Sequence, residues 1–244
     1  MKIDNVGMGL GLPNSAGALP DDLDAGSLFS ILIDSLVHSS AMVLDGTGRI
    51  VWSCPRCAAA LGCADASEMV GQRLGSFAPD QWAAEREAAV SLAIREHRVV
   101  MLAGIVGGQR MLTRCIPLAR EGVTADRVLV VIAPVIGDEI EQLAGQPPDR
   151  NIVWSSVHDF GPLDALTSRE IEVLALLGQG KRTKEIAETL CRSVSTIDGH
   201  RERIGQKLGV NDRAELISIA RRAMLRVEDA EGSRVRLRPA VGSN

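Results

Sequence analysis

Apolar residues recur along this chain with two different periods. After Ser27, the positions Leu28, Ile31, Leu32 and Leu36 fall at helical spacing. The pattern then changes to two strand-like stretches, 41–44 and 49–53, separated by Asp45-Gly46-Thr47-Gly48, which reads as a hairpin turn. A short helix of small residues is predicted over 56–61 and a longer helix over 80–96. Three strands are predicted over 99–106, 110–117 and 127–135, broken by Gly107-Gly108 and by Glu121-Gly122. Two strands, short helices and three further strands predict an α+β domain with an antiparallel sheet over 26–136. Residues 1–25, rich in Gly, Pro, Asn and Asp, read as a flexible arm, 137–162 as a linker around Gly145-Gln146-Pro147-Pro148, and 228–244 as a disordered tail.

The helical period returns at Leu163. Thr167 stands three positions before Glu170, a capping box whose hydroxyl and carboxylate satisfy the first free amides of a helix. Ile171, Val173, Leu174 and Leu177 give that helix a broad buried stripe, and Gly178 with Gly180 stops it. Thr183 is expected to cap a second helix carrying Ile186, Ala187 and Leu190, and Ser193 a third carrying Ile197, Ile204 and Leu208. Turning about 100° per residue from Ile197 puts Ile204 and Leu208 on one face of the third helix and Ser195, Gly199, Glu202 and Gln206 on the other. Asp198 and Arg203 flank the outer face. Lys184, Arg201 and Lys207 stand where side chains reach phosphates.

This spacing resembles closely the LuxR-type (GerE or FixJ type) helix-turn-helix domain over 163–227. The matching residues are Leu166-Thr167-Ser168-Arg169-Glu170 with Glu172-Val173-Leu174, Gly180 with Lys184-Glu185-Ile186-Ala187, Ser193 with Thr196-Ile197 and His200, and Lys207-Leu208-Gly209-Val210 with Arg213. The resemblance implies an all-α four-helix domain that binds double-stranded DNA. It implies a third helix in the major groove, with Thr196 joining the DNA-facing set, and a fourth helix, 213–225, at a homodimer contact. Basic residues often stand in the family where Asp198 and Glu202 stand here; a carboxylate at such a place accepts from cytosine N4. Gly199 costs the helix about 1 kcal/mol relative to Ala, which suits close approach to DNA or is simply absorbed by packing. His200 falls at the margin of the buried stripe and reads as a structural histidine.

The N-terminal order of elements looks like a PAS sensor domain. The resemblance rests on Ala41-Met42-Val43-Leu44-Asp45, Gly48-Arg49-Ile50-Val51, Ala58 to Leu61 with Gly62, Glu68-Met69-Val70-Gly71 and the last strand, Val128 to Ala133. It implies signal sensing or dimerisation and names no cofactor, because such domains bind haem, flavin, small molecules or only each other. His38 and His97 are the histidines of this region, and neither sits in an evident haem-ligand setting.

Charge sharpens the division. The net charge is -4, yet residues 163–227 carry 12 Lys and Arg against 9 Asp and Glu, while those before 163 sum to -7. A mildly basic module beside an acidic one suits a DNA reader joined to a domain that avoids phosphate. No apolar run approaches the roughly 20 residues of a membrane span, and the first residues do not read as a secretory signal, so a cytoplasmic protein is expected. The absence of tyrosine argues against an aromatic-lined quorum-sensing pocket, and no phosphoacceptor set of acidic residues is evident.

The five cysteines are expected as thiols, and Cys191 as core. Cys54-Pro55-Arg56-Cys57 with Cys63 is the sharpest local feature of the N-terminal half. At a strand-to-helix junction the helix dipole would make a thiol reactive, and with Cys115 or His97 three thiols would close a zinc site. The alternative function is therefore a thiol-redox or metal-sensing module whose helical end binds protein. The simpler reading makes these cysteines small core residues. The leading expectation is a non-enzymatic transcription regulator whose PAS-like domain takes a small-molecule or redox signal, or mediates dimerisation.

Overall fold

The computed structural model describes residues 39–120, 123–137, 152–210 and 212–237. The expected arm, the helix after Ser27 and most of the expected linker lie outside the described residues.

The N-terminal unit runs β1 (Ser40–Asp45), β2 (Ile50–Ser53), α1 (Pro55–Ala60), two 3-10 turns, α2 (Asp80–Glu96), β3 (Val100–Val106), β4 (Gln109–Arg120) and β5 (Val123–Pro134). The strands pair antiparallel in the order β2-β1-β5-β4-β3, with the order of elements expected of a PAS-like α+β domain. Local chemistry sets the first hairpin. The Asp45 carboxylate accepts from the amides of Thr47 (2.9 Å) and Arg49 (3.0 Å), and Gly48 takes φ +80°, a backbone region closed to most side chains.

Helix α2 lays Trp82, Ala83, Arg86, Ala89, Val90 and Ala93 against one face of the sheet, which supplies Met42, Leu44, Cys115, Val128 and Val130 to the same core. The helix ends where His97 turns left-handed at φ 49°.

The region expected to be a linker is structured wherever it is described. Ile152–Trp154 (β6) adds a parallel strand to the free edge of β3, Val157–His158 form β7, and Gly161–Ala165 make a 3-10 turn. The expected disordered tail is likewise structured where it is described: Val227–Glu231 form a 3-10 turn and Ser233–Arg234 (β8) pair with β7. Both segments lack periodicity because each is short and is held by distant partners.

Those partners bind the two halves into one body. Gly108 and Gly161 bring the β3–β4 turn against the chain entering the helical domain; a Cβ on Gly161 would stand 2.7 Å from the Gly107 carbonyl carbon. Glu85, on α2, accepts from the Ser156 amide at 2.8 Å and from the Ser155 hydroxyl. Inside β3, Gly104 leaves the room that Ser155 and Arg86 use; its Cβ would lie 3.0 Å from that of Ser155.

The C-terminal unit has the four expected helices: α3 (Ser168–Gly178), α4 (Thr183–Thr189), α5 (Val194–Leu208) and α6 (Arg213–Ala223). The Thr167–Glu170 capping box forms as expected, and the Ser193 hydroxyl caps α5 by accepting from the Thr196 amide at 3.1 Å. Thr183 does not cap α4, because it lies inside the helix; the Glu185 carboxylate instead accepts from the Arg182 amide at 2.6 Å. Gly178 lets α3 meet α6 closely, since a Cβ there would be 2.6 Å from the Ala220 carbonyl oxygen. Among the described residues no helix is long and apolar enough to cross a membrane.

Candidate nucleic-acid interface

Helix α5 is pinned on one side and open on the other. Ile197 and Ile204 are fully buried against α3 and α4 and Leu208 is half-buried, whereas Ser195, Asp198, Glu202, Arg203 and Gln206 are exposed. Of the four residues expected on the outer face, Ser195, Glu202 and Gln206 are exposed and Gly199 is half-buried. Gly205 is a packing residue the periodicity did not single out: its Cβ would stand 2.7 Å from the Val210 carbonyl oxygen, so glycine lets the chain fold back beneath the helix end. Gly199 is different. Only the end of the Arg203 side chain, at 3.9 Å, lies near a Cβ built there, so nothing inside the chain requires glycine.

The cations divide into two groups. Lys184 is exposed on α4, and Arg203 stays on the outer face, its Nε donating to the Gly199 carbonyl at 3.0 Å. Arg201 is drawn inward, donating to the Thr183 hydroxyl (3.1 Å) and to Asp198 (3.2 Å). Lys207, expected on a phosphate, places its ammonium 2.7 Å from Glu170, a carboxylate buried at the start of α3. Burial pushes the Glu170 carboxyl upward, but the bonds from Lys207 and Thr167 outweigh it and hold it below its usual range. A capping residue read as local chemistry is therefore also the anchor of a long-range ion pair, and Lys207 is committed to it.

His200 is half-buried, as a structural histidine would be; burial first and then Arg203 hold it toward the neutral form. Thr196 is half-buried and bonded to Ser193 at 2.7 Å. Cys191, expected in the core, is exposed at the α4–α5 turn with φ 51°, because the chain must turn sharply there.

The N-terminal cysteines are packing residues. Cys54, Cys57, Cys63 and Cys115 are all buried. Cys54 caps α1 through its sulfur, which accepts from the amides of Ala41 (3.3 Å) and Cys57 (3.4 Å). Burial pushes the Cys57 thiol up to about 12, opposite to the activation a helix N-terminus suggests. Among the described residues no three His, Cys, Asp or Glu side chains converge to hold a metal. The thiol-redox and metal readings find no support in this geometry.

Residues 164–220 match the family model described as bacterial regulatory proteins, luxR family. Over 59 residues the chain is 42% identical to the oxygen regulatory protein NreC of Staphylococcus aureus, an overlap of 24% of this chain and 27% of that protein. The chain thus spans about a quarter of the length of the curated relatives it matches. Among solved structures, it is similar to VqmA of Vibrio cholerae in a ligand–DNA complex, at 18% identity and TM-score 0.49, covering 89% of this chain and 92% of that one. A domain of an HTR-like protein from Haloarcula marismortui matches at 23% identity and TM-score 0.36, covering 40% of this chain and 98% of that one. The PAS domain of the histidine kinase ThkA matches at 18% identity and TM-score 0.34, covering 39% of this chain and 98% of that one.

Proposed function

With residues 164–220 forming a luxR-family helix-turn-helix domain, we propose that this chain is a transcription regulator that reads duplex DNA through α5 and is tuned by its PAS-like unit. The observation that carries the reading is the open face of α5. Ser195, Asp198, Gly199, Glu202, Arg203 and Gln206 form one solvent-facing surface on a helix whose other side is locked into a core. A helix so mounted fits the major groove, which is about 12 Å wide. Gln206 and Arg203 carry groups that bond base edges, Glu202 and Asp198 accept from cytosine, and Ser195, Thr196 and Lys184 lie near the backbone. Arg201 and Lys207 act from behind, through Thr183 and Glu170.

Gly199 gains a role in this reading. A helix that has no internal need for glycine tolerates it where the backbone itself approaches the nucleic acid. Dimerisation through the PAS-like unit and α6 would match a two-fold site; Ala214, Ser218, Arg221 and Arg222 are exposed on α6, opposite Leu216, Ala220 and Ala223. No catalytic step is part of this function.

The test is binding of the full chain to a random duplex pool at two salt concentrations, followed by selection of the bound sequences. The expected result is salt-sensitive binding and enrichment of a two-fold symmetric motif. Absence of binding at low salt would overturn the reading.

A further inference from the structure

Where the PAS-like and helical units meet, β4 and β6 face the ends of α3 and α6 across a cleft of about 470 Å3. That volume falls in the range of roughly 300–1,000 Å3 usual for small-molecule sites. Trp154, Met224 and Leu225 give the cleft apolar lining, and Arg110, Arg221 and Arg226 give it cations. No Asp or Glu among the described residues lines it. The cleft is separate from the core between α2 and the sheet, with which it shares no lining residue.

The three guanidinium groups differ in how far they are committed. Arg110 is buried, gives Nη2 to Asp229 and donates from Nε to the Met224 carbonyl at 3.3 Å. Its Nη1 is buried with no acceptor among the described residues. Arg226 pairs with Glu228 at 3.2 Å, but that carboxylate is 69% exposed, and a surface pair of this kind is weak. Arg221 is exposed and forms no ion pair among the described residues. The Trp154 ring gathers two of the three, with Arg226 at 3.8 Å and Arg110 at 5.2 Å from its centroid. Helix C-termini attract cations, and α3 and α6 both end at this cleft. That attraction accounts for Arg110 Nε on the Met224 carbonyl and leaves Nη1 unanswered. Burial pulls the Arg110 pKa down, Asp229 opposes that and Arg226 adds to it. A buried cationic donor without an acceptor is costly, so the cleft calls for acceptor oxygen from elsewhere, and its loosely held cations favour a charged one.

We infer that the cleft between the two units binds a small organic oxyanion, a carboxylate or phosphate monoester with an apolar body, whose oxygens accept from Arg110 and Arg226 and whose body lies among Trp154, Met224 and Leu225. The site goes beyond the regulator reading and does not depend on it, since it is built from the packing of the two units alone. Its lining comes from both: Arg110 and Trp154 belong to the sheet, Arg221 and Met224 to the last helix. An oxyanion held there adds a bridge beside the Arg110–Asp229 pair, and binding raises the stability of the joined state.

The experiment follows the indole N–H resonances of the full chain, which has three tryptophans, with Trp154→Phe assigning the one in the cleft. The probes are benzoate and phenyl phosphate as oxyanions, benzamide as a neutral acceptor of the same shape and benzamidine as the cation. The expected result is a saturable shift of the Trp154 N–H with benzoate or phenyl phosphate, the tighter of the two identifying the oxyanion, and none with benzamide or benzamidine. Arg226→Gln is expected to weaken that binding about tenfold or more, as is Arg110→Lys, which keeps a charge for Asp229 but removes Nη1. If Arg110→Lys does not fold, Arg226→Gln and Arg221→Gln carry the test. Arg95→Gln, at an exposed position of α2 outside the cleft, is expected to leave the titration unchanged. Three results would overturn the inference: no saturable shift in the folded wild-type chain, an equal response to benzamide, or binding undiminished in both Arg226→Gln and Arg221→Gln. The titration contains no DNA. A chain that titrates without binding DNA rejects the regulator reading alone, and one that binds DNA without titrating rejects the cleft alone.

Discussion

Arg110 and Asp229, 119 positions apart in the chain, form a buried ion pair that joins the sheet of the PAS-like unit to the turn following the last helix. The same guanidinium donates from Nε to the Met224 carbonyl at 3.3 Å, capping α6, and Asp229 also accepts from the Arg226 amide at 2.6 Å. Arg226 in turn stacks 3.8 Å from the Trp154 ring centroid on β6. These groups form the joint between the PAS-like unit and the helical unit.

Removing one partner leaves the other charge buried and unpaired, at a cost of about 3–5 kcal/mol in comparable pairs. Arg110→Met and Asp229→Asn are each expected to lower stability by that order in urea unfolding, with the double variant recovering part of it. A change under about 1 kcal/mol in both single variants would remove the pair from the joint.

His158 stands beside this pair, its Nε2 3.7 Å from Asp229. Burial pulls its pKa below 6.5, Asp229 and Glu85 oppose that, and Arg110 and Arg86 reinforce it. The unfolded chain therefore binds a proton that the folded chain refuses. The resulting stability is present above about pH 6.5 and is lost as pH falls below it toward the folded-state pKa. Unfolding free energy measured from pH 7.5 to 5 is expected to decline with a component that His158→Gln removes; an unchanged slope in that variant assigns the decline to other groups.

The two glycines of α5 separate packing from reading. Gly205→Ala is expected to destabilise the domain, because the new Cβ meets the Val210 carbonyl, whereas in Gly199→Ala it meets only the end of the Arg203 side chain at 3.9 Å and the change is expected to stabilise the free chain by up to about 1 kcal/mol. On DNA the order reverses for Gly199: affinity is expected to fall. Thermal unfolding and DNA titration of both variants check the pair, and undiminished affinity in Gly199→Ala would show that the backbone does not approach the duplex there.

Two lysines near the interface are expected to behave differently. Lys184→Ala should lower the slope of log binding constant against log salt by about one contact. Lys207→Ala should leave that slope unchanged while weakening the fold, since it strips the partner from buried Glu170. Equal slopes lost in both variants would mean that Lys207 leaves Glu170 for phosphate on binding.

Thiol accessibility tests the cysteine assignment directly. In the native chain one thiol, Cys191, is expected to react rapidly with an aromatic disulfide reagent, and the four buried ones only on unfolding. Rapid reaction of Cys54 or Cys57 would restore the redox reading.

Much of this molecule could be read from residue order. Short-range rules sufficed for the Asp45 turn, the Thr167–Glu170 box and the Ser193 cap, because each is satisfied by atoms within a few positions of itself. The stripe of Ile197, Ile204 and Leu208 fixed the open face of α5 for the same reason, since helix geometry alone turns spacing into direction. Residues 152–162 and 228–237 looked structureless because their partners are far away: β6 exists through β3, β8 through β7, and Asp229 through Arg110. A charged residue that is buried by pairing has the same local pattern as one facing water. Thus the sequence determined the two units, their element order and the helix that faces outward. Which cations are unpaired, which thiols are exposed and how the two units are joined were decided by tertiary structure, because those properties depend on long-range contacts and burial that no local spacing encodes.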